Sequence, residues 1–382
     1  MSQRLIDLLE GKRIIICVGS GGVGKTTIAA ALALQAAMEG HKTLALTIDP
    51  AKRLANSLGL TELENRETRI EEKVFQRAGL RPKGELFGMM LDVKRTFDEL
   101  IRRITPTEEA ADKILDNHYY QSLSDALAGS QEYMAMEKLF ELQAERDYEK
   151  LVVDTPPTQQ ALDFLEAPKR MADFLDGRVI QWFIKPYLLA GKVGFAFAQR
   201  SATLVFKMLE RATGYEAMAD LADFFLAFDG MYDGFKQRAG QVKRLLGDDS
   251  TAFILVTSPA SSALGETEIF YKRLQQERMT PAAIVFNRVH DWTIAADFEA
   301  AVKIRTAAER VMARFSQYAP AIDGLVENAL EMSEMAAADE SAMARFVRRI
   351  DRTPIYRVPA LAEDVHDLAA LMIISGYLNG NN

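Results

Sequence analysis

Lys25 and Thr26 follow directly on Gly19-Ser20-Gly21-Gly22-Val23-Gly24, which in turn follows the apolar run Ile14-Ile15-Ile16-Cys17-Val18. Gly19 and Gly24 with Lys25-Thr26 satisfy G-x-x-x-x-G-K-[ST], a spacing that holds phosphate. The glycines let backbone N–H groups turn inward around phosphate oxygens without a Cβ in the way. The predicted cradle runs through Gly21, Gly22, Val23, Gly24, Lys25, Thr26 and Thr27. A helix opening at Thr26 adds its positive dipole end to the same site. In this reading Lys25 reaches the β- and γ-phosphates of ATP, and the Thr26 hydroxyl ligates Mg²⁺.

The same residues also fit G-x-G-x-x-G, and Asp49 closes the next apolar run about where a dinucleotide fold places its ribose-binding acid. Lys25 decides between the two patterns. A pyrophosphate turn needs no cation there, whereas a triphosphate site does.

Carboxylates at strand ends are the next candidates. Leu151-Val152-Val153 delivers Asp154 ahead of Thr155-Pro156-Pro157. Ligands of open α/β sheets sit at the carboxyl ends of the strands, so Asp154 can hold Mg²⁺ beside Thr26. Leu46-Thr47-Ile48-Asp49-Pro50 has the same shape. Asp49 either orients the attacking water and accepts its proton, or is a turn residue before Pro50. Ile284-Val285-Phe286 leads to Asn287-Arg288. A side-chain amide there can read an adenine edge through one donor and one acceptor, and an Asn at a strand end is equally a turn former.

The elements that must position these residues alternate. Strands are expected at 13–18, 43–47, 86–91, 151–153, 252–256, 282–286 and 354–358, with a helix over 25–39 between the first two. Continuous apolar strands separated by helices imply an α/β fold, a mostly parallel sheet with helices on both faces. Residues 94–150 and 163–244 have helical spacing and no strand candidates, which predicts a helical subdomain. Further helices are expected at 299–315 and 328–350.

Composition narrows the class. The chain has 382 residues and a net charge of -8, which argues against a nucleic-acid or anionic-membrane binder. One cysteine, Cys17, allows no internal disulfide and no cysteine zinc site, and the four histidines lack ligand spacing. The N-terminus is amphipathic rather than a signal peptide. The most apolar stretch, 179–209, is interrupted by Lys185, Lys192 and Arg200. A reduced, cytoplasmic protein is expected.

Gly-Gly-Val-Gly-Lys-Thr-Thr, then Thr-Ile-Asp-Pro-Ala, then Val-Val-Asp-Thr-Pro-Pro-Thr resembles the ArsA-like branch of the MinD-type P-loop ATPases. That branch includes the ATPase subunit of arsenite pumps and the ATPase that targets tail-anchored membrane proteins. The resemblance implies one ATPase domain over 1–382. Its nucleotide core would be about 1–93, 150–165 and 250–382, with a helical subdomain inserted at about 94–149 and 166–249. It implies that Asp49 positions the hydrolytic water and that Asp154 serves the magnesium site. Asn287-Arg288 would read adenine, and the loop from Pro359-Ala360-Leu361 to Val365-His366 would close over the base. It also implies a homodimer, or a heterodimer with a related ATPase.

The chain departs from the family at three points. The family's phosphate loop carries a lysine where this chain has Ser20, and that lysine reaches the partner's phosphates. A cation supplied in trans is worth ~10³–10⁵ in rate. Either hydrolysis is slow unaided, leaving a nucleotide-gated binding subunit, or a lysine-bearing paralogue, Lys52 or Arg53 supplies the cation. The arsenite-binding cysteines and the zinc cysteines of the dimer are both absent. The family also implies a hydrophobic client groove. Trp182, Phe183, Tyr187, Phe195, Phe197, Phe206 and Met208, with Phe224-Phe225-Leu226 and Met231, form either that groove or the packing of the helical subdomain. The last helix, 365–378, with the residues just before it carries Glu363, Asp364 and Asp367 and no Lys or Arg, so no stable membrane anchor is expected.

Overall fold

A computed structural model describes residues 3–49, 53–118, 120–121, 131–156, 232–279, 281–290 and 298–380. Pro50-Ala51-Lys52, Pro157-Thr158 and the aromatic and Met-rich residues between 182 and 231 lie outside the described residues. The chain divides into two compact units. The first joins Met1–Met89, Tyr148–Ala161 and Asp249–Asn382, and the second joins Met90–Asp147 and Leu162–Asp248.

The first unit is built on one sheet. Its strands are β1 (Ile14–Val18), β2 (Lys42–Thr47), β3 (Thr68–Arg69), β4 (Glu85–Met90), β5 (Lys150–Asp154), β6 (Thr251–Thr257), β7 (Pro281–Val289) and β8 (Ile355–Pro359). They lie in the order β3-β4-β2-β5-β1-β6-β7-β8. From β2 to β8 the neighbours run parallel, and β3 pairs antiparallel with β4. β1 and β5 are buried at every position, as near-continuous Ile/Val/Leu runs must be when helices cover both faces. The register fixes the site. Cys17 and Thr47 both lie opposite Asp154, so β1, β2 and β5 end at one level. The strand order reverses around β1, where an open sheet forms its ligand crevice.

The helices of this unit are α1 (Leu5–Leu8), α2 (Lys25–Glu39), α3 (Arg53–Ser57), α4 (Glu72–Arg77), α9 (Ser261–Gln276), α10 (Phe298–Arg314), α11 (Ala319–Val347) and α12 (Leu368–Leu378). The second unit holds α5 (Val93–Ile104), α6 (Glu108–Leu115), α7 (Gln131–Glu145) and α8 (Tyr232–Leu246). α2 is Ala-rich and buried around most of its circumference, because the sheet covers one side and α12 another. The Ser375 hydroxyl donates to the Ala31 carbonyl at 3.1 Å across that contact. α12 therefore buries Leu368, Leu371, Ile374 and Leu378 as core. No helix among the described residues is long and apolar enough to cross a membrane.

In the second unit Asp92 and Thr107 cap α5 and α6 by accepting from Arg95 N and Ala110 N. Polar pairs between its helices include Lys138 with Glu99 at 3.1 Å and Arg238 with Glu137 at 2.6 Å.

The predicted strands appear with ends shifted by a residue or two, except that β7 runs on through Asn287-Arg288 to Val289. The short strand β3 was not predicted, since two residues carry no periodicity. α11 starts at Ala319 rather than 328, with Pro320 in its first turn, where a missing N–H costs nothing.

The start of β5 is held by an unusual buried cation. Lys150 Nζ donates to the carbonyls of Leu9, Glu10 and Lys12 at 2.7, 2.6 and 2.7 Å. Burial pushes its pKa down, while Glu10 and Glu149 push it up. Replacing it with Met strands those carbonyls. Lys150→Met is expected to destabilise the protein by about 2–4 kcal/mol, read as a lower urea midpoint. An unchanged midpoint would refute this anchoring role.

Candidate functional site

The loop between β1 and α2 is shaped by steric necessity. Gly22 and Gly24 have φ of +76° and +92°, in the left-handed region that glycine adopts freely. A Cβ on Gly19 would lie 2.0 Å from the Val256 carbonyl oxygen, and one on Gly24 would lie 2.2 Å from the Asn287 amide nitrogen. The loop is thus wedged between the ends of β6 and β7. Asn287 also clamps it, since Nδ2 donates to the Val23 carbonyl at 2.8 Å. That contact leaves the amide oxygen and a second N–H for a base edge.

Inside the loop, Lys25 Nζ donates to the Ser20 carbonyl at 2.9 Å. Burial lowers the Lys25 pKa, and the charges of Asp154 and Asp49 oppose that shift. Ser20 itself is buried, and its hydroxyl has no hydrogen-bond partner. Its side chain therefore occupies the interior of the loop.

Asp154 lies under the loop, level with the ends of β1 and β2. Its Oδ2 accepts from Thr26 Oγ1 at 2.8 Å and from Thr47 Oγ1 at 3.0 Å. The Thr47 hydroxyl in turn accepts from the Asp49 backbone N–H at 3.1 Å. Asp154 Oδ1 is buried with no partner. A bare anionic oxygen beside the Thr26 hydroxyl suits a hard divalent cation with oxygen ligands, so the residues present fit Mg²⁺. Burial raises the Asp154 carboxyl to about 6; hydrogen bonds from Thr26 and Thr47 and the charge of Lys25 pull it down, and Asp49 adds to the rise.

These residues edge a cavity of about 670 Å³. Gly22, Gly24, Lys25, Thr26, Thr27, Asp49, Asn287, Arg288 and Pro359 all line it, together with Arg53, Asn56, Thr155, Ala360, Leu361 and the stretch from Glu363 to His366. Of the other sequence candidates, Gly21 is exposed beside the cavity, Val23 is buried and contributes its carbonyl to Asn287, and Asp154 lies beneath. Arg288 adopts φ +59° at a shift in the β7–β8 register between Phe286 and Val289. This non-glycine residue in the left-handed region marks a bulge in β7 beside the cavity, after which Val289 pairs with Pro359.

Sequence reasoning passed over Thr47 and Thr155 as site residues. Thr47 holds Asp154 and the Asp49 backbone together, and Thr155 Oγ1 donates to the Cys17 carbonyl at 2.8 Å, tying β5 to β1. The available signal was a threonine at each strand end, beside a carboxylate.

A family model described as anion-transporting ATPase matches residues 12–316. The match stops before α11. A protein provisionally named arsenical pump-driving ATPase 1 from Aquifex aeolicus is 24% identical over 283 residues, covering 72% of this chain and 63% of its own length. ATPase GET3 of Malassezia globosa is 26% identical over 289 residues, covering 75% of this chain and 76% of that protein. ATPase ARSA2 of Chlamydomonas reinhardtii is 28% identical over 293 residues, covering 75% and 70%. The chain belongs to the ArsA family of anion-transporting ATPases.

The buried carboxyl has a measurable consequence in metal-free protein. Its native pKa of about 6 exceeds the ordinary 3.8, so the native state holds the proton more tightly. Stability therefore falls as pH rises from about 4 to about 6, by about 3 kcal/mol, and the whole penalty persists above that window. Asp154→Asn is expected to raise the metal-free unfolding midpoint at pH 8 and to flatten its dependence between pH 4 and 6. A lower midpoint for the variant at pH 8 would contradict the assignment.

Proposed function

We propose that this chain binds Mg²⁺–ATP in the glycine-loop cavity and hydrolyses it, and that the cycle drives conformational change for handling a protein or hydrophobic client. The observation that carries the reading is the convergence of Lys25, Thr26 and Asp154, with its bare Oδ1, at one end of the sheet. Membership of an ATPase family supports the nucleotide and the reaction class.

In this mechanism the phosphates take over the Lys25 ammonium from the Ser20 carbonyl. Backbone N–H groups from Gly21 to Thr27 and the start of α2 hold the phosphate oxygens. Thr26 and Asp154 would hold the metal, which when bound would supply charge neutralisation to the phosphates. Thr47 keeps Asp154 and Asp49 in register. Asp49 orients the attacking water and takes its proton. The water oxygen forms the new P–O bond as the bridging bond to ADP breaks. Asn287 and Arg288 bind the base, and the loop from Pro359 to His366 covers it.

Ser20 bears on the rate. It replaces the family's lysine, so no cation reaches a partner's phosphates from this position. Arg53 lines the cavity and lies near enough to lower the Lys25 pKa through its charge. We assign it the compensating role within the same chain. Arsenite transport is not part of the proposal. The one thiol, Cys17, is buried in β1, and burial pushes its pKa up. The client role rests on the family resemblance, as does a dimeric, cytoplasmic state.

Isothermal calorimetry and steady-state phosphate release test the reading. Lys25→Ala is expected to abolish ATP binding. Asp49→Asn is expected to spare binding and to lower kcat by about 10²–10⁴. Ser20→Lys is expected to speed turnover, and Arg53→Ala to slow it. No heat of ATP binding by the wild type would refute the site. Binding with turnover indifferent to Asp49→Asn would leave a nucleotide-gated binding subunit instead.

A further inference from the structure

The two oxygens of the Asp154 carboxylate are not equivalent. Oδ1 is buried without a hydrogen-bond partner. Oδ2 accepts from Thr26 Oγ1 at 2.8 Å and from Thr47 Oγ1 at 3.0 Å. An ionised carboxylate has about two acceptor sites on each oxygen, so two hydroxyl donors fill Oδ2. What Asp154 still has to offer a cation is a single oxygen.

Thr47 fixes that asymmetry. It ends β2 directly opposite Asp154 in the parallel register, and both residues are buried, at 2 and 1% exposure. Its hydroxyl has one proton to give. The oxygen accepts from the Asp49 backbone N–H at 3.1 Å, and the proton goes to Oδ2. The β-branched side chain is stiff at χ1, so the donor stays aimed. Thr26, the other donor, lines the cavity and is itself a candidate metal ligand, whereas Thr47 does not line it. Thr47 therefore reaches the site through Asp154 and the Asp49 backbone.

The count of free carboxylate oxygens matters because divalent cations differ in what they require. Mg²⁺ is small, keeps several waters and takes few protein oxygens in strict octahedral geometry. Ca²⁺ is larger, gathers about six to eight oxygens and commonly takes both oxygens of one carboxylate. We propose that Thr47 is a metal-selectivity residue. By occupying Oδ2 it makes Asp154 a one-oxygen ligand, which suits Mg²⁺ and disfavours Ca²⁺. Thr47 is a positioning residue in this role, since it acts through Asp154. The inference deepens the Mg²⁺–nucleotide reading above and rests on it.

Calorimetric titration of the full chain with Mg²⁺–ADP and with Ca²⁺–ADP reads the preference without turnover. The wild type is expected to bind the magnesium complex about tenfold or more tightly than the calcium complex. Thr47→Val removes the donor at nearly constant shape and frees Oδ2. It should narrow that ratio to about threefold or less, chiefly by tightening Ca²⁺–ADP. A purely structural role would weaken both complexes alike and leave the ratio where it was. Thr47→Ser keeps the hydroxyl and should keep the wild-type ratio. Thr47→Cys, whose thiol is a weak donor, should fall between the two and takes the place of the valine variant if that one does not fold. A valine or cysteine variant with the wild-type ratio would overturn the proposal. A wild type that binds ADP equally well with either metal would sink the Thr47 assignment alone, whereas a wild type that binds no nucleotide would sink the site itself.

Discussion

The carboxylate of Asp154, shared between the hydroxyls of Thr26 and Thr47, holds the candidate site together. A buried anion is tolerable only when hydrogen bonds and counter-charges surround it, and here they come from two other elements. Lys25 and Thr26 open α2, and Thr47 ends β2. The parallel register that sets Cys17 and Thr47 opposite Asp154 is what lets these groups meet. Slipping one strand by a residue would turn its side chains to the other face and leave the charge unsupported. The sheet and the site are in this sense one construction, and the unpartnered Oδ1 is the part of it left for a ligand.

Much of this was legible in the chain because the relevant signals are local. The apolar run ending at Val18, the glycines and Lys25-Thr26 declare strand, turn and helix within fourteen residues of sequence. Asp154 stood out because it ends an apolar strand downstream of the glycine loop, although an Asp opening a proline turn gives the same pattern. The threonines were not, since a hydroxyl earns its role only through a partner more than a hundred residues away. The role of Gly24 was half visible. Its left-handed φ follows from the turn, but its closeness to Asn287 depends on β7 arriving beside the loop.

Helical segments followed the same logic. The Ala-rich α2 and the spacing over 299–315 read plainly as helices, whereas the start of α11 was set nine residues too late. Its first turns carry Pro320, Gly324 and few buried positions, so the periodic apolar signal that marks a packed helix is faint there.

The hydrogen bond from Asn287 to the Val23 carbonyl joins the strand proposed to face the base to the loop proposed to face the phosphates. In the proposed binding mode two recognition events would share one side chain, and whatever free energy one of them added to or removed from that amide would be felt by the other in equal measure. Discrimination between purines would then be expressed in how firmly the triphosphate is gripped, rather than in separate, additive increments of affinity.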